Sequence, residues 1–394
     1  MVMVSPSASG DASAAALVVP VVDPPDVVEV RCTSSAGRGY DASVDDMGRG
    51  DFRGAAAVAA VMAVATVLVA AAYDLPVRDP DGVSIPTWVR LPVIVAAAVL
   101  LDVVPRWVIA ARRAGPGGAL PALRTLLRER WDLTQVRFML GGLAAWYVAY
   151  VAFRNLKGYL PFVTDRLWDT ELARIDRLLW LGHDPASVLH DVLGTGAAAW
   201  LMSAVYVLWI GLVPAALAVA LVWTRRSLAG AFYVTAVSFN WLLGVAVYYV
   251  VPSLGPVYSR PQEFADLPDT FNTRIQALLL EDRVDVLAGA WDTRAVQTVA
   301  AFASLHVAIT VSTCLVAEVL RLPRWVRVAS WTFAVLTAVS TVYLGWHFFV
   351  DVLGGAAVGA AAVVLAARAT GHPLRRAQPP ADAAMAGRQQ AGRS

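Results

Sequence analysis

The apolar residues of this chain are gathered into eight blocks of about twenty residues, separated by polar connections. A helix needs about twenty apolar residues to cross the hydrocarbon core of a bilayer. Inside that core every backbone N–H and C=O group must be paired within the segment, so such blocks predict helices. The predicted spans are residues 54–73, 91–111, 136–156, 198–222, 229–251, 302–321, 325–345 and 347–368. The chain is therefore expected to be an all-α, polytopic membrane helix bundle.

The overall composition agrees with this class of protein. Hydrophobic residues make up 58% of the 394 residues and charged residues only 16%, which is more apolar than an ordinary soluble domain. The net charge of +2 gives no argument for a nucleic-acid partner. Residues 1–50 are rich in small and polar residues without a sustained period, which predicts a disordered cytoplasmic tail. A second interpretation is that they precede the native start of translation. Residues 371–394 predict a second tail, disordered and basic.

Charge alternates between successive connections. The connections after the second, fourth and sixth predicted spans are basic, whereas acidic residues outnumber basic ones in 252–297. Basic connections stay on the cytoplasmic side of a membrane, so both termini are predicted to be cytoplasmic in a multi-pass protein of the cell membrane. The basic residues are Arg112, Arg113, Arg124, Arg128, Arg130, Arg225, Arg226, Arg321, Arg324 and Arg327.

Two long connections fall on the predicted outer side. Residues 158–197 carry apolar side chains at three- and four-residue steps with charges between them, which predicts a helix lying on the membrane surface. Residues 252–301 begin with turn-forming residues and end with a helix-like stretch at 294–302. Together these connections are expected to cover a site at the boundary between lipid and water.

Polar side chains from three distant segments meet at this same boundary. They flank the end of the third predicted span and the starts of the sixth and eighth. Ionisable side chains beside the hydrocarbon core are costly, so a chain that keeps several of them there usually uses them. The residues are Arg154, Lys157, Ser304, His306, His347 and Asp351.

These residue types fit phosphoryl transfer. His347 and Asp351 are four residues apart on one helix face, so the carboxylate can hold the imidazole in one tautomer. A histidine held in this way can attack phosphorus and form a phosphohistidine, and His306 can protonate the leaving oxygen. Ser304 and His306 can share one ligand only if the sixth helix starts near Ala303, because residues two apart in a continuous helix point in different directions. Lys157 and Arg154 are the candidate cations for the phosphate.

The motifs "ASLH" and "GWHFFVD" resemble the second and third signature motifs of the type 2 phosphatidic acid phosphatase superfamily. The resemblance implies a six-helix catalytic domain over residues 136–370, with residues 51–135 adding two spans and a basic cytoplasmic loop. It also implies that His347 is the nucleophile, Asp351 its partner and His306 the acid. No cofactor and no metal is expected.

The sequence departs from the family pattern at three places. Leu305 replaces the glycine of the second motif, and Thr341 stands where the third motif has an arginine. The first motif, a lysine followed six residues later by Arg-Pro, is absent, so Lys157 is only a positional candidate for its lysine. Arg260-Pro261 has no lysine at the required distance.

The segments "SLHVA", "TVYLGWHFFVD" and "ARIDRLLWLGHDP" are more similar to the inositol phosphorylceramide synthase branch of the superfamily. That similarity implies an inositolphosphotransferase-like enzyme. Its donor would be a phospholipid or another lipid phosphate, and its acceptor inositol or another alcohol. Simple hydrolysis of a lipid phosphate is the first alternative, and a membrane transporter or an inactive scaffold is a further one. A second interpretation of Ser304 is a helix cap without a role in catalysis. A second interpretation of Lys157 and Arg154 is that their charged ends extend into the membrane interface without binding phosphate.

Overall fold

The computed structural model describes residues 51–79, 87–224 and 228–374, and all regular secondary structure in these ranges is helical. The predicted tail at 1–50 lies outside the described residues, as do Arg225, Arg226 and residues 375–394 of the second tail. The all-α prediction is confirmed.

The described residues form thirteen α-helices, with a π-helical turn at Val219–Trp223 and a 3₁₀ turn at Pro261–Phe264. They are α1 (Arg53–Ala72), α2 (Thr87–Ala114), α3 (Ala119–Arg130), α4 (Leu133–Val163), α5 (Asp169–Leu179), α6 (Pro185–Leu193), α7 (Ala197–Ala218), α8 (Leu228–Val250), α9 (Pro256–Ser259), α10 (Phe271–Ala288), α11 (Leu305–Val319), α12 (Arg324–Tyr343) and α13 (Phe349–Thr370).

Seven helical runs in the described residues are long and apolar enough to cross a membrane, so the chain is a multi-pass membrane protein. These runs are α1, α2, α4, α7 with its π-helical turn, α8, α12 and α13.

The sixth predicted span is shorter than expected, because α11 has only 15 residues. The helix-like stretch at 294–302 is not helical, so that expectation was wrong. Ser253 holds this stretch in another conformation: its carbonyl accepts from the Ala301 amide (3.0 Å) and its hydroxyl from the Phe302 amide (2.9 Å).

The third predicted span is longer than expected. Asp132 caps the start of α4 by accepting from the Gln135 amide (2.7 Å), and the helix continues to Val163. Its last turns are buried, and the Tyr159 hydroxyl donates to the Pro76 carbonyl (3.0 Å). Packing therefore continues the helix past 156, and Arg154 and Lys157 lie inside it rather than at its end.

α8 is the central helix of the bundle, with 14 of its 23 residues buried, and α4, α11 and α13 pack around it. α11 and α13 touch through their backbones. A Cβ on Gly355 would collide with the Ser304 carbonyl, and one on Gly359 with the Ala308 carbonyl. Small residues allow membrane helices this close approach, which sets the position of α11 beside the start of α13.

The connections 164–196 and 251–304 lie at one end of the bundle, here called the long-loop end. The single surface helix predicted for 158–197 is in fact α5 and α6, because Leu181 and Gly182 adopt left-handed conformations (φ 55° and 96°). α5 buries Leu172 against Phe348, whereas Leu178 is 78% exposed. The segment therefore covers the start of α13 and keeps an outward apolar surface.

Candidate active site

His306, His347 and Asp351 meet at the long-loop end, where the start of α11 faces the turn between α12 and α13. The Nδ1 atom of His306 lies 3.1 Å from Nε2 of His347, and Nδ1 of His347 lies 3.2 Å from Oδ2 of Asp351. His347 and Asp351 are buried, with relative exposures of 3% and 0%. The structure thus brings together the three residues that the sequence singled out.

The hydrogen bonds of this cluster assign a direction to its protons. An ionised carboxylate only accepts, so Asp351 takes the Nδ1–H of His347, in addition to the Phe348 amide at 3.0 Å. Nε2 of His347 is then unprotonated and accepts from the Nδ1–H of His306. One lone pair on His347 and one proton on His306 therefore face each other across the site.

Ser304 fixes the start of α11. Its hydroxyl accepts from the Val307 amide (3.4 Å), and its own amide donates to the Asp351 carbonyl (3.0 Å). The helix begins at Leu305, close to the break expected near Ala303. Ser304 is an N-cap, as its residue type favours, and the hydrogen bond to Asp351 links the two motifs that carry the histidines.

Lys157 and Arg154 border the same cavity as His306 and His347. The ammonium of Lys157 lies 5.0 Å from the ring centre of Tyr248 and 6.0 Å from that of Phe153. Nε of Arg154 is buried without a hydrogen-bond partner in the described part of the chain. Both side chains therefore lie where an anion that entered the cavity would meet them.

Thr341 and Arg260 are the two positions at which the family pattern suggests another cation for the phosphate, and neither supplies one. The Thr341 hydroxyl donates to the Ala338 carbonyl (3.0 Å), and its carbonyl accepts from the Trp346 and His347 amides (2.9 and 3.2 Å). Thr341 therefore holds the turn that presents His347.

Arg260 is bound to two acids, with Nη1 2.7 Å from Asp184 and 2.9 Å from Glu263, and its guanidinium lies over the Phe348 ring (5.5 Å). These contacts give Arg260 a structural role next to the site.

Aromatic side chains surround His306, and sequence reasoning did not find them. Trp209 and Tyr206 lie 4.3 and 5.0 Å from the His306 ring, and the Trp209 indole donates to the His306 carbonyl (3.1 Å). Trp346 stacks on Tyr206 at 5.0 Å. Trp346 adjoins His347 in sequence, but nothing local distinguishes Tyr206 and Trp209 from the interfacial aromatics that any span carries.

Asp176 is the second feature that the sequence did not reveal. Its carboxylate accepts from the Phe349 amide (2.6 Å) and the Val350 amide (2.8 Å), so it caps α13 from a distant helix. Burial raises the pKa of Asp176 to about 6, although these two hydrogen bonds lower it. Asp176 lies within the segment "ARIDRLLWLGHDP", whose apolar pattern predicts a surface helix but not a carboxylate that caps another helix.

Asp169 on the same helix organises the neighbouring loop by accepting from the Leu254 amide (3.0 Å) and the Gly255 amide (2.8 Å). Burial raises the pKa of this carboxyl as well. α5 thus supplies two buried carboxylates: Asp176 holds the start of α13, and Asp169 holds the loop at Leu254 and Gly255.

The fold and the site together define a polytopic α-helical membrane protein with a buried His–His–Asp cluster at one end of its bundle. A family model described as the PAP2 superfamily matches residues 170–365, which include all three cluster residues. The match supports assigning this region to the type 2 phosphatidic acid phosphatase superfamily, and with it an enzyme of the phosphatase or phosphotransferase type. No curated protein and no solved structure gives a significant match to the chain.

Proposed function

We propose that this protein is a membrane-embedded phosphotransferase that moves the phosphate-bearing head group of a lipid through a phosphohistidine on His347. The observation that carries the proposal is the chain of hydrogen bonds from His306 through His347 to Asp351, in which Nε2 of His347 is the unprotonated nitrogen. We assign residues 136–370 as the catalytic domain and α1 to α3 as an addition to it.

In the first step, Nε2 of His347 attacks phosphorus and the bond from phosphorus to the lipid oxygen breaks. The phosphate must enter between the two rings, because their 3.1 Å hydrogen bond leaves no room for it. Its entry frees the Nδ1–H of His306, which then protonates the departing lipid alkoxide. Asp351 stabilises the positive charge that develops on His347.

Charge on the phosphate oxygens is balanced by Lys157, with Arg154 beside it, and by the N-terminus of α11. Both cations border the cavity that the histidines line. Backbone amides at a helix N-terminus favour an anion, and Ser304 caps the first turn there. These groups take the place of the arginine that is missing at Thr341.

In the second step, an acceptor hydroxyl attacks phosphorus, the bond from phosphorus to Nε2 breaks, and His306 takes the hydroxyl proton. We propose inositol or a related alcohol as the acceptor, because the motif segments are more similar to the inositol phosphorylceramide synthase branch than to the general family pattern. Water as the acceptor would make the protein a simple lipid phosphate phosphatase.

The long-loop end is proposed to face the outside of the cell. The connections at the opposite end of the bundle carry Arg112, Arg113, Arg324 and Arg327, and basic connections remain in the cytoplasm. Both termini would then be cytoplasmic, and the donor lipid would come from the outer leaflet.

The intermediate gives a direct test. Purified protein incubated with a lipid phosphate radiolabelled at phosphorus should acquire acid-labile, base-stable label, and His347→Ala should acquire none. His183→Ala is the matched control, because His183 is exposed and away from the cluster. Full turnover by His347→Ala would exclude the nucleophile assignment.

The acceptor is tested with the same labelled donor in the presence and absence of inositol. Label recovered in an inositol ester supports head-group transfer. Free phosphate alone, whatever alcohol is added, supports the hydrolytic alternative.

A further inference from the structure

A long apolar cavity of about 650 Å³ begins at His306 and His347 and runs between the helices towards Met139 and Leu221. Lys157 and Met139, which border its two ends, are eighteen residues apart on α4. At 1.5 Å per residue this separation is about 27 Å. The hydrocarbon core of a bilayer is about 30 Å thick, so the cavity extends well beyond the depth of one leaflet.

α2 forms one wall of this cavity. Leu91, Ile94, Val95 and Ala98 line it, and their three- and four-residue spacing places them on a single helix face. This wall lies outside residues 170–365, the part of the chain that the family model matches. It is therefore a feature of this chain rather than of the matched region.

The cavity is open between α2 and α7. Ile94 on α2 and Ile210 on α7 both line it, yet they are 46% and 48% exposed. Further along, α2 is tied to the end of α3, where Asp102 accepts from Nη2 of Arg130 (2.6 Å). The half of α2 nearer the histidines thus stands beside an opening towards the bilayer.

We propose that the cavity binds a hydrocarbon chain of the substrate lipid, which enters sideways between α2 and α7, and that the Leu91–Ala98 face of α2 is the specificity-determining wall for that chain. This inference rests on the proposed lipid substrate. The α2 wall is apolar, and the charged and imidazole side chains of the cavity lie at the histidine end, which fits a ligand with one charged end and a long apolar remainder. The depth selects a chain that reaches past the bilayer midplane.

Chain selection in this cavity depends on fit. A lipid tail is already surrounded by hydrocarbon in the bilayer, so transfer into the cavity removes no apolar surface from water. The gain comes from contacts with the cavity wall. Octyl and eicosyl phosphate in the same detergent micelles therefore form the test pair, with kcat/KM as the readout. We expect about tenfold preference for eicosyl phosphate, the lower end of discrimination by apolar pockets.

Ala98→Trp should fill the cavity beside the wall and abolish most of this preference. Ala97→Trp is the matched control, because the neighbouring Ala97 is exposed and is not among the cavity residues. It should keep the preference of the unmodified protein. Equal kcat/KM for the two chains in the unmodified protein would overturn the inference, as would an equal loss for both chains in Ala98→Trp.

A photoreactive probe separates failure of this inference from failure of the proposed reaction. Eicosyl phosphate with a diazirine at the chain end should label peptides that contain Met139 or Leu217, even in His347→Ala, which has no turnover. Ala98→Trp should lose this labelling and Ala97→Trp should retain it. Turnover without such labelling refutes binding of the chain in the cavity. Labelling without turnover refutes only the proposed reaction.

Discussion

The side chain of Leu305 packs directly onto Gly244, where an added Cβ would come within 2.6 Å of Leu305 Cδ2 and 2.9 Å of its Cγ. Leu305 is the residue that replaces the glycine of the second motif. The bundle accommodates it because α8 has a glycine opposite. The family pattern has its glycine on α11, whereas here the glycine, Gly244, is on α8. His306 therefore still lies beside His347.

Gly244→Ala is expected to push the first turn of α11 away from α8 and to displace His306. Overpacking of this kind costs about 1–3 kcal/mol, so the thermal midpoint and kcat should both fall. The double variant Gly244→Ala with Leu305→Ala should recover both. Gly211→Ala is the control, since a Cβ there meets nothing within 4 Å. A double variant as impaired as Gly244→Ala would contradict the compensation.

Removing the acid should affect poor leaving groups most. His306→Ala is expected to lower kcat on an alkyl phosphate by about 10²–10⁴ and on a nitrophenyl phosphate far less, because nitrophenolate leaves without a proton. His347→Ala should lose both activities. Steady-state rates on the two substrates measure the difference, and an equal loss on both in His306→Ala would assign that residue another role.

Lys157→Met is expected to raise KM and to lower kcat/KM by roughly tenfold to a hundredfold, the range for losing a hydrogen bond to a charged group. Methionine keeps most of the apolar stem, so packing against Phe153 and Tyr248 is largely preserved. Arg137→Met, exposed on the same helix at its opposite end, should change neither value. Unchanged kinetics in Lys157→Met would show that Lys157 serves only as an interfacial cation.

Asp176 should give the folded protein a distinctive pH dependence. Burial raises the pKa of its carboxyl to about 6 in the folded state, against about 3.9 in an unfolded chain. The folded state then binds the proton more tightly, so this group lowers the free energy of unfolding as the pH rises from about 4 to about 6 and adds no slope above that.

Asp176→Asn should remove this component of the slope, which thermal midpoints between about pH 4 and pH 7 would reveal. It should also lower kcat by roughly tenfold or more, because the NH2 group that replaces one carboxylate oxygen cannot accept from a backbone amide and α13 carries Asp351. Asp191→Asn, an exposed aspartate on α6, is the control. An identical pH slope in Asp176→Asn and the unmodified protein would contradict the assignment.

The sequence predicted the spans well where apolar character is continuous and poorly where polar backbone contacts decide the conformation. Residues 294–302 have a helical composition, but Ser253 holds them in another conformation at Ala301 and Phe302. Lys157 was expected at the end of a span, whereas burial of the residues around Tyr159 continues α4 beyond it. Both differences arise from contacts between segments far apart in the chain.

The helical class, most of the spans and the residue types of the site can be predicted without a structure, because apolar block length and the spacing of His347 and Asp351 are local properties. Which of these groups contact one another depends on the packing of the helices. The His306–His347 hydrogen bond joins residues 41 apart, and the Asp176–Phe349 hydrogen bond joins residues 173 apart. Such contacts depend on how closely helices approach, which glycines such as Gly355 permit and which no local pattern records.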